Sequence, residues 1–129
     1  WGGGSDTNDA TTIMAAVIRD LKIKTGSVTR LIKDLAMTEK EISRQQKRIQ
    51  EYKEDHERDE HDVKKQVEVL AEYVAGRTDE MHRLEQFDIE LGGCIEDCEG
   101  EGGLDQTEEL AAAREARSKA AELLVEYNG

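Results

Sequence analysis

The chain contains no proline, and in 129 residues it carries only one Trp, three Tyr and one Phe. Without proline, nothing ends a helix by removing a backbone donor or by clashing with the preceding turn. With so few aromatic and turn residues, a β-sandwich or barrel has no material for its strands and corners. Cysteine is nearly absent too: Cys94 and Cys98 are the only two. A disulfide-built secreted fold is therefore excluded, and a reducing compartment is expected. The longest apolar run, Ile13 to Ile18, falls far short of the roughly 18 to 20 residues that cross a bilayer. No basic region followed by an apolar stretch opens the chain, so no signal peptide is expected and the cytoplasm is the expected location. Basic residues are in deficit, 18 Lys and Arg against 30 Asp and Glu, which leaves a net charge of −12. Such a molecule is repelled as a whole by nucleic acid and anionic lipid, and binding either would require a local basic face.

What is abundant is helical periodicity. Met14, Leu21, Val28, Leu35, Ile42 and Ile49 recur every seven residues, accompanied by Val17, Ile18, Leu31, Ile32 and Tyr52 at intervening positions. This heptad seam predicts a helix over about 9–54, roughly 65 Å long at ~1.5 Å per residue, and hence an elongated molecule. Residues 1–8, beginning Trp1-Gly2-Gly3-Gly4-Ser5, read as a flexible linker or cloning remnant. Gly26 interrupts the seam-bearing helix at a cost of about 1 kcal/mol relative to alanine, and marks either a bend or a close contact.

The polar stretch Glu54 to Asp62 offers nothing to bury and reads as the first connection. Val63, Val67, Leu70, Val74, Met81, Leu84, Leu91, Ile95 and Cys98 then alternate at three and four, with Arg77 and Asp88 as polar exceptions, which predicts a second helix over 61–99. Gly92-Gly93 lowers its propensity by ~2 kcal/mol and leaves a distortion possible. After the glycine-rich break at Gly100 to Gly103, Asp105 or Thr107 offers a cap for a third helix over 105–127, with Glu108 and Glu109 favouring the positive end of its dipole. Ala113, Ala116, Ala120, Leu123, Leu124 and Tyr127 form its apolar line. Short connections make neighbours antiparallel, so the predicted fold is all-α: an up-down-up three-helix bundle, coiled-coil-like, over 9–128. Lys24, Gln45, Gln46, Arg77 and Asp88 fall on its seams and predict a thin, interrupted core.

Such a bundle offers no dry concavity for catalysis, and the chain has no phosphate-binding glycine loop, nucleophile elbow or His-Glu-x-x-His motif. Cys94 and Cys98 share a helical face at the spacing of two metal ligands, but His82, His56 and His61 are not at positions that close a four-ligand site. An i to i+4 disulfide is also too wide, so reduced seam residues are the better reading, and neither metal nor cofactor is expected. The carboxylates of Glu96 to Glu109 lack the spacing of a calcium loop and read as a solvated acidic end.

Charge is unevenly placed. From Arg19 to Lys53 ten basic residues stand against five acidic ones, so the remainder of the chain is strongly acidic. Lys33, Lys40 and Lys47 repeat every seven residues, as do Arg30 and Arg44, forming a basic stripe read as lying beside the apolar seam. Two readings stand: the stripe pairs with acidic residues of the other helices, as flanking positions do in coiled coils, or it receives an acidic protein partner.

The segment Leu21-Lys22-Ile23-Lys24-Thr25-Gly26-Ser27-Val28-Thr29-Arg30-Leu31-Ile32-Lys33 resembles the Lys-Ile-Lys-Thr-Gly-x-Val-x-Arg-Leu-x-Lys segment of the tubulin-binding cofactor A family. Asp62-Val63-Lys64-Lys65-Gln66-Val67-Glu68-Val69-Leu70 is similar to that family's Ile-Lys-Lys-Gln-x-Glu-Ile-Leu, and Arg114-Glu115-Ala116-Arg117 to its Lys-Glu-Ala-Arg. The matches fall in order on the three predicted helices, over about 18–125. The resemblance implies a cytosolic, cytoskeleton-associated, non-enzymatic chaperone that captures β-tubulin on the route to the αβ heterodimer, without a nucleotide. The matched basic residues Lys22, Lys24, Arg30, Lys33, Lys64 and Lys65, with Lys40 and Arg44 of the stripe, are the candidate β-tubulin-facing residues; Val28, Leu31 and Leu70 are candidate core. Thr25 and Gly26 serve either the partner or close helix packing. Gly92-Gly93 and Gly100 to Gly103 depart from the family pattern. A generic self-associating coiled coil is the alternative function, and monomer and homodimer both remain open.

Overall fold

The computed structural model describes the backbone of residues 2–101 and 107–128, and the side chains of 12–101 and 107–128. Three α-helices account for it: α1 (Gly2–Glu54), α2 (Glu60–Gly100) and α3 (Glu108–Asn128), with no strand among the described residues. α1 is helical from Gly2, earlier than the linker composition predicts. A formed helix extends at far lower cost than a new one nucleates, so poor formers at its end are carried along. Thr107 caps α3: its Oγ1 accepts from the Leu110 amide at 3.1 Å and its carbonyl from Ala111 at 3.2 Å. Asp105, the other candidate cap, lies outside the described residues.

The helices divide between two compact units. The first contains residues 1–32 and 84–129, the second residues 33–83.

In the first unit the three helices share a core of Leu21, Val28, Leu31, Leu84, Leu91, Cys94, Ile95, Cys98, Leu110, Ala113, Ala116 and Ala120, all buried. Each large side chain removed from water contributes roughly 1.5 to 3 kcal/mol, and the alanines let α3 approach its neighbours closely. Lys24 Nζ meets Glu90 at 3.3 Å and Asp20 meets Cys94 at 3.1 Å, so α1 and α2 run antiparallel here. Arg114 donates to Glu99 at 2.8 Å, and Arg117 to both Asp88 oxygens at 2.9 and 3.2 Å, which sets α3 antiparallel to α2. The Asp88 seam exception is thus a half-buried carboxylate with a bidentate partner.

α2 continues unbroken through Gly92-Gly93, and the two glycines differ. A Cβ on Gly92 would lie 2.6 Å from Arg117 Nη1, whereas one on Gly93 would meet nothing within 4 Å. Gly92 is the recess that lets the Arg117 guanidinium lie across α2 to reach Asp88. Gly26 likewise has open space above it, so close packing within the chain does not explain it.

The second unit is a helical hairpin built on Leu35, Ile42, Gln45, Ile49 and Met81, with Leu70 half-buried. Gln45 Nε2 donates to the Gln66 carbonyl at 2.8 Å and to its Oε1 at 2.9 Å. Thr38 Oγ1 donates to Glu80 at 2.6 Å and Arg77 Nη1 to Glu39 at 2.9 Å. The turn is built by Asp55 and Asp59: Asp55 Oδ1 accepts from the Glu57 amide and Asp59 Oδ1 from the Asp62 amide, each at 2.9 Å, while Arg58 lies 4.1 Å over the Tyr52 ring. Val67 and Val74, predicted on the seam, are 46% and 37% exposed. A hairpin of two helices buries one flank of each, and no part of α3 belongs to this unit to cover the other. Gln46 and Tyr127 are also exposed, contrary to their predicted seam positions. Gln46 follows the buried Gln45 by a turn of about 100°.

Gly92 and Gly93 make a stability test. Gly93→Ala should stabilise by up to about 1 kcal/mol. Gly92→Ala should gain less or lose stability, because its methyl displaces Arg117 from Asp88. In an Arg117→Ala background the two substitutions should become equivalent in thermal denaturation; a persistent difference would contradict the recess.

Candidate functional site

α1 carries two faces because each of its basic stripe residues stands at a fixed offset from the buried seam. Lys33, Lys40 and Lys47 each precede a buried residue, Leu35, Ile42 and Ile49, by two positions, and Met37 and Arg44 follow Leu35 and Ile42 by two. Two residues are a rotation of about 200°, so these side chains point away from the core. The stripe is therefore opposite the seam and not beside it. All five are exposed, Met37 by 52%. Among the described residues none of the four cations takes part in a hydrogen bond or ion pair. Among the described residues these four cations therefore show none of the intramolecular pairing that was one of the two readings of the stripe. Of the nearby acids, Glu39 is held by Arg77, while Asp34 and Glu41 border the line on one side.

In the first unit the same offsets, two before and two after Leu21 and Val28, place Arg19, Ile23, Gly26 and Arg30 on the exposed side of α1, with Ile23 58% exposed. The candidate residue Lys24 is elsewhere: it is half-buried and bridged to Glu90, so it is a cross-helix contact of the fold. Lys22 is exposed but off this line, and Lys64 and Lys65 are exposed on α2 beside Gln66. The structure thus brings Lys33, Lys40 and Arg44 together in the second unit, and leaves Arg30 with the first. Lys47 and Met37 join them in the second unit, and Ile23 stands on the exposed side of α1 in the first; none of the three was among the candidates. Their signal was available in the same offset from the seam, which applies to apolar residues as well as to cations.

The two cysteines are buried. The Cys94 thiol is pushed up to about 12 by burial and by its hydrogen bond to the Asp20 carboxylate. Burial also raises Cys98, with Asp97 adding to it. Both thiols stay protonated at neutral pH, which removes the nucleophilic form. Among the described residues no group of three or more His, Cys, Asp or Glu side chains is placed to hold a metal ion. A groove of about 390 Å³ between α2 and α3 is lined by Asp88, Ile95, Arg114, Arg117, Ser118 and Ala121, but its carboxylate is committed to Arg117. No described helix is long and apolar enough to cross a membrane. The α1 seam residues Leu21, Val28, Leu35, Ile42 and Ile49 are at most 8% exposed, so the chain itself covers them.

Comparison with known proteins matches residues 16–116 to the model of the tubulin binding cofactor A family. Tubulin-specific chaperone A of Homo sapiens is 39% identical over 98 residues, covering 75% of this chain and 86% of its own. The Schizosaccharomyces pombe protein of that name is 32% identical over 111 residues, covering 86% and 89%. Among solved structures, Rbl2p, a β-tubulin-binding post-chaperonin cofactor, superimposes with a TM-score of 0.69 at 28% identity, over 81% of this chain and 97% of that one.

The Cys94 environment has a pH signature. The unfolded thiol ionises near 9.0 while the folded one keeps its proton to about 12. Above pH 9 the unfolded state therefore binds fewer protons, and stability falls as pH rises from 9 towards 12. Cys94→Ala should flatten that slope in denaturant titrations. At pH 8 neither native thiol should react with an aromatic disulfide reagent, and both should react on unfolding; fast native labelling would contradict the burial.

Proposed function

The chain belongs to the tubulin binding cofactor A family, and we propose that it is a chaperone that binds and holds β-tubulin on the way to the αβ-tubulin heterodimer. The observation that carries this reading is the family match across parts of all three helices, together with relatives named as tubulin-specific chaperones and a structural neighbour named for β-tubulin binding. It acts in the cytoplasm, in association with the cytoskeleton, and without catalysis or a nucleotide. Its work is the occupation of a client surface.

The outward face of α1 supplies the means. Among the described residues its cations have no partner to give up, so pairing with an acidic client breaks no bridge there. Lys33, Lys40, Arg44 and Lys47 in the second unit and Arg30 in the first are the proposed β-tubulin-facing residues on α1, with Lys22, Lys64 and Lys65 as further exposed cations. Exposed ion pairs are worth about 0.2 to 1 kcal/mol each. Four of them reach at most ~4 kcal/mol, the energy of millimolar binding. Micromolar capture needs roughly twice that, so charge steers the encounter and apolar contacts must hold it. At the net charge of −12 an acidic client is repelled from most of this molecule, which confines productive approach to the basic face.

Mixed with released β-tubulin, the protein should form a complex on native gels that weakens between 0.05 and 0.5 M salt, both values being ~ settings that shorten the Debye length from about 14 to 4 Å. Lys33→Glu with Lys40→Glu should weaken it at least ~10-fold without changing the thermal midpoint, since neither residue is paired. Absence of any complex with the unmodified protein would overturn the reading.

A further inference from the structure

We propose that the partner element seated on α1 between Lys33 and Lys47 is an acidic amphipathic α-helix lying lengthwise along it, with an apolar side chain on Met37. The inference rests on the chaperone reading and specifies the shape and chemistry of what the face holds.

Spacing is the first argument. Lys33, Met37, Lys40, Arg44 and Lys47 follow one another at four, three, four and three residues, the alternation that makes the inward seam of this helix pack against helices. The repeat of Lys33, Lys40 and Lys47 is about 10.5 Å at ~1.5 Å per residue. A second helix presents one face at that same interval. An extended segment presents one face every ~6.6 Å, at two and four residues, and does not match it.

Charge complementarity is the second. The line holds four cations with no partner among the described residues, and no acid. Asp34 and Glu41 border one side of it. Carboxylates of the partner are therefore confined to a narrow strip, as on one face of a helix, and a uniformly acidic tail would meet these two residues. Met37 is the third: a large thioether 52% exposed at the middle of the line, flexible enough to accept a variety of apolar side chains.

The test uses the full chain labelled with ¹⁵N and three synthetic peptides. One is a helix-forming sequence with Glu and a central Leu on a single heptad face. The second has the same composition shuffled around the helix, and the third is the patterned peptide interrupted by central prolines. Only the patterned peptide should shift the amides of residues 33–47, with an affinity at least ~10-fold above the others, and Met37→Glu or Lys40→Glu should reduce that affinity ~10-fold. Lys40→Gln should give a smaller loss, and a circular-dichroism melt shows that each variant is folded. Equal binding of the shuffled or proline-broken peptide, or no binding of the patterned one, would overturn the proposal. Native gels with β-tubulin separate the two claims. If the unmodified protein forms no complex, the chaperone reading fails. If it does, and Met37→Glu and Lys40→Glu leave that complex intact, only the helix-docking inference fails.

Discussion

The three-and-four alternation of apolar residues on α1 is the constraint from which the other features follow. Leu21, Val28, Leu35, Ile42 and Ile49 must all face inward, and this fixes the rotation of every other residue on the helix. Positions two residues to either side are thereby turned to solvent. The basic line faces outward along its whole length only because the apolar seam is regular, and a skipped residue in the seam would turn part of the line towards the core. Folding and presentation are thus two consequences of one periodicity.

An all-apolar seam would leave neighbouring helices free to slip by a heptad, and the polar residues on these seams oppose that. Gln45 is 4% exposed and finds both acceptors on Gln66. A slipped pairing would strand its amide at a cost of about 1 to 3 kcal/mol. Asp88 and Arg117 do the same between α2 and α3, where the missing side chain of Gly92 makes the room. Gly92 is in this chain part of an ion-pair site.

Much of the fold was legible in the sequence, because heptad spacing, glycine breaks and the Thr107 cap are local signals. The errors have physical causes of another kind. Heptad position says which side of α2 carries Val67 and Val74, but burial depends on whether another helix lies there, and the hairpin unit contains only two helical segments. Lys24 looked available for a partner because Glu90, its bridge, is far away in sequence. The role of Gly92 depends on a residue of another helix. The candidate site was legible for Lys33, Lys40 and Arg44, since repeats of seven show cations sharing a face. Its position opposite the seam also followed from the two-residue offset, as did the inclusion of Met37, but a search for charge alone overlooks an exposed methionine.

The account's central claim is that the outward line of α1 contacts the client. A crosslinking scan tests it most directly, with a photoreactive side chain placed singly at each position from 33 to 50 in the otherwise unchanged protein bound to β-tubulin. Adducts should peak at 33, 37, 40, 44 and 47 and be absent at 39 and 46, which are exposed but turned about 120 to 140° from the centre of the line. A flat profile, or a maximum at 39 and 46, would contradict the claim.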